Sequence, residues 1–262
     1  MAKTTVDETE TFDERKHYAD ITLPKLYANS FALATAMFKS NLFRPGSGPR
    51  IVFSDYTKLN VAGGWTLNYK GEELRQDDQR VLLALLKLRS GDVVTNVITV
   101  VPRTFCRCED TLNWADSGDS KEKLYACIKR LCDARVQLIR DDGVEYLYSF
   151  ISDATLEKDS WSISLSKTMA EMFKSQVTYI QLDKRLAMKD GLLAWMYGFI
   201  KADACHAPID LRSLRALVGS TYTQKEFNRS LKKVLESLVA VEVIREFKIA
   251  GSKLTVKKVF KS

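Results

Sequence analysis

A chain of 262 residues, 45% hydrophobic and 28% charged, has material for two packed domains or one large one. Its apolar runs fall short of the roughly 20 residues that cross a bilayer, which excludes a membrane-spanning helix. The net charge of +7 is concentrated: residues 211–262 hold twelve Lys and Arg against four Glu, twelve minus four giving +8, so the first 210 residues sum to −1.

A cationic surface gathered in one terminal unit attracts polyanions and releases their counterions, which is how proteins hold nucleic acid. A merely soluble basic domain is the plainer reading of the same charge.

Residues 1–20 are polar and acidic (Asp7, Glu8, Glu10, Asp13, Glu14 and Asp20) and read as a disordered tail. They resemble neither a signal nor a transit peptide, so the expected location is the cytoplasm. Helical spacing starts near Leu23 and continues through residues 32–38, until the two prolines and two glycines of residues 44–49 break it. Residues 51–53 and 65–69 read as strands around Gly63-Gly64. Asp77-Asp78 opens a helix with Val81, Leu82, Leu85, Leu86 and Leu88 on its apolar face. A β-branched strand follows at 93–101, then a helix at 103–114 introduced by Pro102.

Asp119 and Glu122 have capping-box spacing for a helix whose core face is Leu124, Cys127, Ile128 and Leu131. Residues 135–140 and 144–151 flank Asp142-Gly143, a two-residue hairpin signal, and 160–165 supplies a third strand. The second half has an apolar helix at 192–200, then a helix capped by Asp210 and ended by Gly219-Ser220. A long helix at 223–239 and a hairpin around Gly251-Ser252 complete it.

Each half thus reads helix, helix, helix, β-hairpin. The expected fold is α+β: two tandem winged-helix domains, residues 21–155 and 156–262, joined near residues 152–166. The second is the main DNA-binding unit.

A helix-turn-helix lays its second helix in the major groove. At 100° per residue Phe227, Leu231, Val234, Leu235 and Leu238 share one side of helix 223–239, while Lys225, Asn228, Arg229, Lys232, Lys233 and Glu236 gather opposite. Cations on such a stripe suit phosphate; Arg and Asn also suit guanine and adenine edges. Thr223 and Gln224 sit at the helix start, where bases are often read. Arg245, Lys248, Lys253 and Lys257 would flank the backbone from the hairpin. A solvated face is the bland alternative. In the first half Lys121, Lys123, Lys129 and Arg130 form a weaker counterpart, with acids interspersed.

No catalytic constellation stands out. The two histidines, His17 and His206, form no His-x-His pair, and Gly251-Ser-Lys lacks the rest of a phosphate loop. The Asp77-Asp78 and Asp141-Asp142 pairs suit capping and turns. The five cysteines (Cys106, Cys108, Cys127, Cys132 and Cys205) lack zinc spacing and read as small buried thiols. The expectation is a protein with no enzymatic activity, metal or cofactor.

The stretch Leu193-Ala-Trp-Met-Tyr-Gly-Phe-Ile200, followed by His206-Ala-Pro-Ile-Asp-Leu-Arg-Ser-Leu-Arg-Ala-Leu-Val-Gly-Ser220, resembles the plasmid replication initiators of the TrfA family and the related RepC initiators of IncQ-type plasmids. Gln76-Asp-Asp-Gln-Arg-Val81 and Ser40-Asn-Leu-Phe43 add to the likeness, which covers roughly residues 30–262. The resemblance implies binding to repeated origin sites (iterons) through two winged helices, melting of adjacent AT-rich DNA with single-stranded DNA exposed, and recruitment of the host helicase and initiator. It also implies a monomer–dimer equilibrium and a sliding-clamp motif at 39–43, with Leu42 and Phe43 filling the clamp pocket. Lys39 stands where that motif prefers glutamine, and burial of Leu42 and Phe43 in the core is an equal reading. The competing function is a winged-helix transcriptional repressor; a nickase ranks last.

Overall fold

The computed structural model describes residues 29–89, 97–174, 176–202 and 207–259, without the side chains of residues 170, 171 and 174. The acidic tail, Cys205 and His206 lie outside these residues.

The first described element is a strand where helical spacing was expected. β1 (Ser30–Ala34) runs antiparallel to β9 (Val177–Gln181), with Phe31 opposite Ile180 and Leu33 opposite Thr178, and only α1 (Thr35–Phe38) is helical. All five β1 residues are buried, and a short apolar run covered on both faces shows no period that separates strand from helix.

β2 (Val52–Leu59), β3 (Thr66–Glu72), β5 (Arg135–Ile139) and β6 (Glu145–Tyr148) form an antiparallel sheet in the order β2-β3-β5-β6. Leu67 and Tyr69 alternate inward on β3, as do Val136 and Leu138 on β5. Across the core runs α2 (Gln76–Arg89), in which every residue from Val81 to Leu86 is buried. The run is enclosed all round, wider than the single apolar stripe expected, but it ends at Leu86: Leu88, expected on that stripe, is exposed.

The expected helix at 103–114 is shorter. α3 (Pro102–Arg107) stops at Cys108, and the Thr111 hydroxyl donates to the Phe105 carbonyl (2.7 Å) across the turn that follows. α4 (Gly118–Asp133) begins one residue before Asp119, with the Ser117 hydroxyl accepting from the Ser120 N–H; Asp119 lies in the first turn.

β4 (Val97–Val100), β7 (Ile151–Leu156) and β8 (Trp161–Leu165) make a second sheet in the order β4-β8-β7. The expected join at 155–156 therefore falls inside a strand. The Asp142-Gly143 hairpin pairs with β3, not behind the helices; β7–β8 takes that place.

After α5 (Lys167–Glu171), a short 3₁₀ turn and β9 come α6 (Leu182–Ala187), α7 (Leu192–Ala202), β10 (Ile209–Asp210), α8 (Leu211–Val218) and α9 (Gln224–Ala240). β11 (Ile244–Ala250) and β12 (Lys253–Lys258) close a third sheet in the order β10-β12-β11. The two three-stranded sheets share one plan: a strand before two helices pairs with the last strand of the hairpin after them. Among the described residues no helix is long and apolar enough to cross a membrane.

The core continues across the middle of the chain. The Trp195 indole N–H donates to the Ser40 carbonyl (2.9 Å), tying α7 to the segment after α1. Arg80 of α2 and the fully buried Arg185 of α6 converge on one oxygen of Asp190, at 3.1 and 3.0 Å. Burial pushes the Arg185 guanidinium down to about 10.

Candidate nucleic-acid interface

α8 and α9 are set by local chemistry at their ends. Asp210 accepts from the N–H groups of Arg212 (3.0 Å) and Ser213 (2.9 Å), satisfying the first orphan donors of α8. Gly219, at φ 69°, ends that helix in the left-handed region where glycine carries no penalty. Thr223 and Glu226 then form a reciprocal capping box at the start of α9. Hydrogen bonds from Thr223 hold the Glu226 carboxyl below the usual range, and backbone donation from Ser213 does the same for Asp210.

α9 buries Phe227, Leu231, Leu235 and Leu238. Lys225, Arg229, Lys232 and Lys233 are exposed on the remaining surface, with Glu236 beside them. Three other expected contacts have partners within the fold. The Thr223 hydroxyl serves the capping box. The Gln224 amide donates both to the Leu211 carbonyl (3.2 Å) and to Asn228 Oδ1 (2.8 Å), which occupies the carbonyl oxygen of Asn228 as well. An amide at the first turn is as good a brace between helices as it is a base reader, and the sequence does not separate the two.

The hairpin tip sits at the same end of the unit. Leu211, whose carbonyl holds Gln224, also donates its N–H to the Ser252 carbonyl (2.8 Å). Lys253 follows that residue and is exposed, as are Arg245, Lys248 and Lys257. Lys257 is paired with Glu246 (2.6 Å), which depresses the Glu246 carboxyl.

The first half repeats the arrangement in weaker form. Lys121, near the start of α4, donates to the Lys158 carbonyl (3.0 Å) in the β7–β8 turn, so this hairpin tip also meets the start of its helix. A recess of about 360 Å³ opens there, bordered by Arg103, Ser117, Lys121 and Lys158. Lys129 is exposed, and the Lys123 ammonium lies 4.2 Å from the Trp114 ring centre. Lys158, in the stretch expected to join the domains, lies instead in this turn.

Arg130 is a correction. Its side chain is 11% exposed, and its Nε donates to Asp78 Oδ1 (2.8 Å). The other Asp78 oxygen takes Arg50 (2.8 Å) and the Arg75 N–H (2.8 Å). Burial, then the adjacent Asp77, pushes the Asp78 carboxyl up, and the guanidinium groups oppose them. Arg130 thus neutralises a buried carboxylate, and its guanidinium is held inside the fold rather than on the exposed face expected of it. Asp77 and Asp78 are an internal ion cluster rather than a simple cap.

For Leu42 and Phe43 the structure has the second of the two readings offered, packing in the core. Both are buried, and the Phe43 ring lies 5.4 Å from that of Phe150. Two apolar side chains at the end of a helical turn gain more from the core than from water, so neither is presented to a clamp. Among the described residues no three His, Cys, Asp or Glu side chains gather as a metal site. Cys106 and Cys127 are buried and Cys132 is half-buried, but Cys108 is exposed, against the expectation of buried thiols throughout.

The class these elements define is a mixed α/β chain of small antiparallel sheets, two of them each carrying a pair of helices and a hairpin. No protein-family model matches the sequence, and no curated protein matches it significantly. Two crystal structures of domains 2 and 3 of RctB share the fold. One matches with a TM-score of 0.58 at 11% identity, over 86% of this chain and 98% of that chain. The other gives 0.58 at 12% identity, over 86% and 97%. At such identity the likeness is one of fold.

Proposed function

We propose that the chain is a replication initiator that binds origin DNA through two winged-helix units. In this reading α9 and α4 are the recognition helices, and β11–β12 and β7–β8 are the wings. The observation that carries it is the outward stripe of Lys225, Arg229, Lys232 and Lys233 on α9, beside a cationic hairpin tip anchored through Leu211. Four cations on one face suit phosphates on both sides of a groove, and Arg229 also suits a guanine edge.

The fold likeness supports the same reading, since RctB is a replication initiator of the second Vibrio chromosome. That the origin belongs to a plasmid and its sites are iterons rests on the TrfA-like stretches of the sequence alone. The partners are then the repeated duplex, AT-rich single strands exposed on melting, and the host helicase and initiator. The reading involves no enzymatic step and no cofactor.

The test is selection of this protein on random-sequence duplex, then footprinting on the origin region nearest its gene. The expected result is protection of several direct repeats at moderate salt, with permanganate-reactive thymines in the adjoining AT-rich segment. Absence of any sequence preference overturns the reading. A stable dimer on one palindrome, without distortion, turns it into a transcriptional repressor.

A further inference from the structure

The two halves are joined by directional contacts that hold the end of α8, and through it the start of α9. Asn60, in the β2–β3 connection, donates from Nδ2 to the Ala216 carbonyl (2.7 Å) in the last turn of α8. Its own backbone is held by Asn41: the Asn60 N–H donates to Asn41 Oδ1 (2.9 Å), and the Asn41 N–H donates to the Asn60 carbonyl (3.0 Å). Gly219 allows the approach, because a Cβ there would lie 3.0 Å from Asn41 Nδ2. The Ala216 carbonyl already accepts from the Gly219 N–H (3.0 Å) that closes the helix, and a loop of the other half supplies its second donor.

A second anchor lies deeper. Arg80 of the first half donates to Asp190 Oδ1, to the Met188 carbonyl (2.7 Å) and, more loosely, to the Leu186 carbonyl (3.4 Å). Arg185 donates back to the Gln76 carbonyl (3.1 Å). Sliding one half past the other would take Asp190 and two carbonyls from Arg80 and the Gln76 carbonyl from Arg185, so the junction resists shear.

We infer that Asn60 and Asp190 are positioning residues: they fix α9 against the first half so that the protein reads two DNA segments at one spacing. The inference rests on the two-unit DNA-binding reading above. Two linked modules gain avidity only at the separation their junction permits, and a stiff junction sharpens that requirement. The Asn60 bond is suited to this role and poorly suited to stability. It lies at the surface, where one hydrogen bond adds little to folding, yet it holds the turn from which α9 departs.

The probe is a duplex recovered by selection on random DNA, its two contacted segments mapped by hydroxyl-radical footprinting. Affinity is then measured with one to five base pairs inserted between or removed from the segments, and on each segment alone. The full-length protein is expected to lose about tenfold on mismatched spacings. Asn60→Ala is expected to shrink that preference to about threefold, the size of one hydrogen bond, with single-segment affinity unchanged. Asp190→Asn, checked by circular dichroism for retained fold, is expected to flatten the profile further. An Asn60→Ala profile that matches the parent overturns the inference while leaving the DNA-binding reading intact. No sequence preference in the parent protein overturns both.

Discussion

Gly198 of α7 lies against the ring of Phe38, so close that a Cβ at Gly198 would overlap Cδ1 and Cε1 of that ring. Phe38 is buried, and Trp195 on the same helix holds the Ser40 carbonyl. The aromatic stretch of α7 is therefore the seat of the α1 segment of the first half. In an isolated helix Gly198→Ala would gain about 1 kcal/mol of propensity. Here the ring has no free space to enter, and overpacking costs about 1–3 kcal/mol. The expected outcome is a net loss of stability, seen as a lower urea midpoint at unchanged slope; a gain would mean the ring moves freely.

Arg130 and Lys129 are neighbours on α4 with opposite roles. Arg130→Ala leaves Asp78 buried beside one guanidinium in place of two, and breaking such a pair costs roughly 3–5 kcal/mol. Lys129→Ala, at an exposed position, is expected to leave the urea midpoint alone and weaken DNA binding at low salt. Equal effects of the two on stability would place Arg130 outside the ion cluster.

On α9 the prediction separates charge from base reading. Lys232→Ala and Lys233→Ala are expected to weaken all duplexes alike, each lowering the slope of log affinity against log salt by about one. Arg229→Ala is expected to cost about 1–3 kcal/mol on the preferred site and relax choice at one base position. Gln224→Ala removes a brace between α9 and α8, so its effect falls on thermal stability as well as binding. Filter binding across a salt series, on preferred and scrambled duplexes, distinguishes these outcomes.

What was legible in the sequence follows the range of the forces involved. Asp210, Gly219-Ser220 and Gly251-Ser252 act on their immediate neighbours, and the helices and hairpin they delimit stand where the sequence puts them. The exposed stripe of α9 was equally legible, since helical period alone decides it. The capping box of Thr223 and Glu226 was written in the chain in the same way and overlooked. The first half depends on contacts between distant residues. Arg130 meets Asp78 across 52 positions, and no local pattern tells an inward arginine from an outward one. β1 finds its partner β9 far along the chain, and β5–β6 and β7–β8 differ in partner, not in pattern.

The helix caps of the second half make it sensitive to acid. Asp210 and Glu226 are both held below their ordinary values of 3.8 and 4.5. The folded chain then binds fewer protons than the unfolded one, so this stabilisation is complete above the ordinary values and fades as pH falls through the lowered ones. Asp210→Asn and Glu226→Gln keep an oxygen to accept from the backbone but cannot titrate. Between about pH 5 and about pH 3, melting temperature should fall less steeply in the double variant than in the parent. Parallel slopes would show that these carboxyls do not differ between the two states.

Leu42 and Phe43 present the sharpest contest between motif and packing. If they served a sliding clamp, Phe43→Ala would abolish clamp capture and leave stability untouched. Their burial, and the Phe43–Phe150 ring contact, dictate the reverse. Truncating a buried phenylalanine removes its transfer energy and leaves a cavity, about 3–5 kcal/mol in all. Phe43→Ala is therefore expected to lower the urea midpoint and broaden proteolysis, and the parent protein, flowed over immobilised clamp, is expected to give no saturable response. A parent that binds the clamp while Phe43→Ala folds normally and does not bind would mean that residues 39–43 leave the core to meet it.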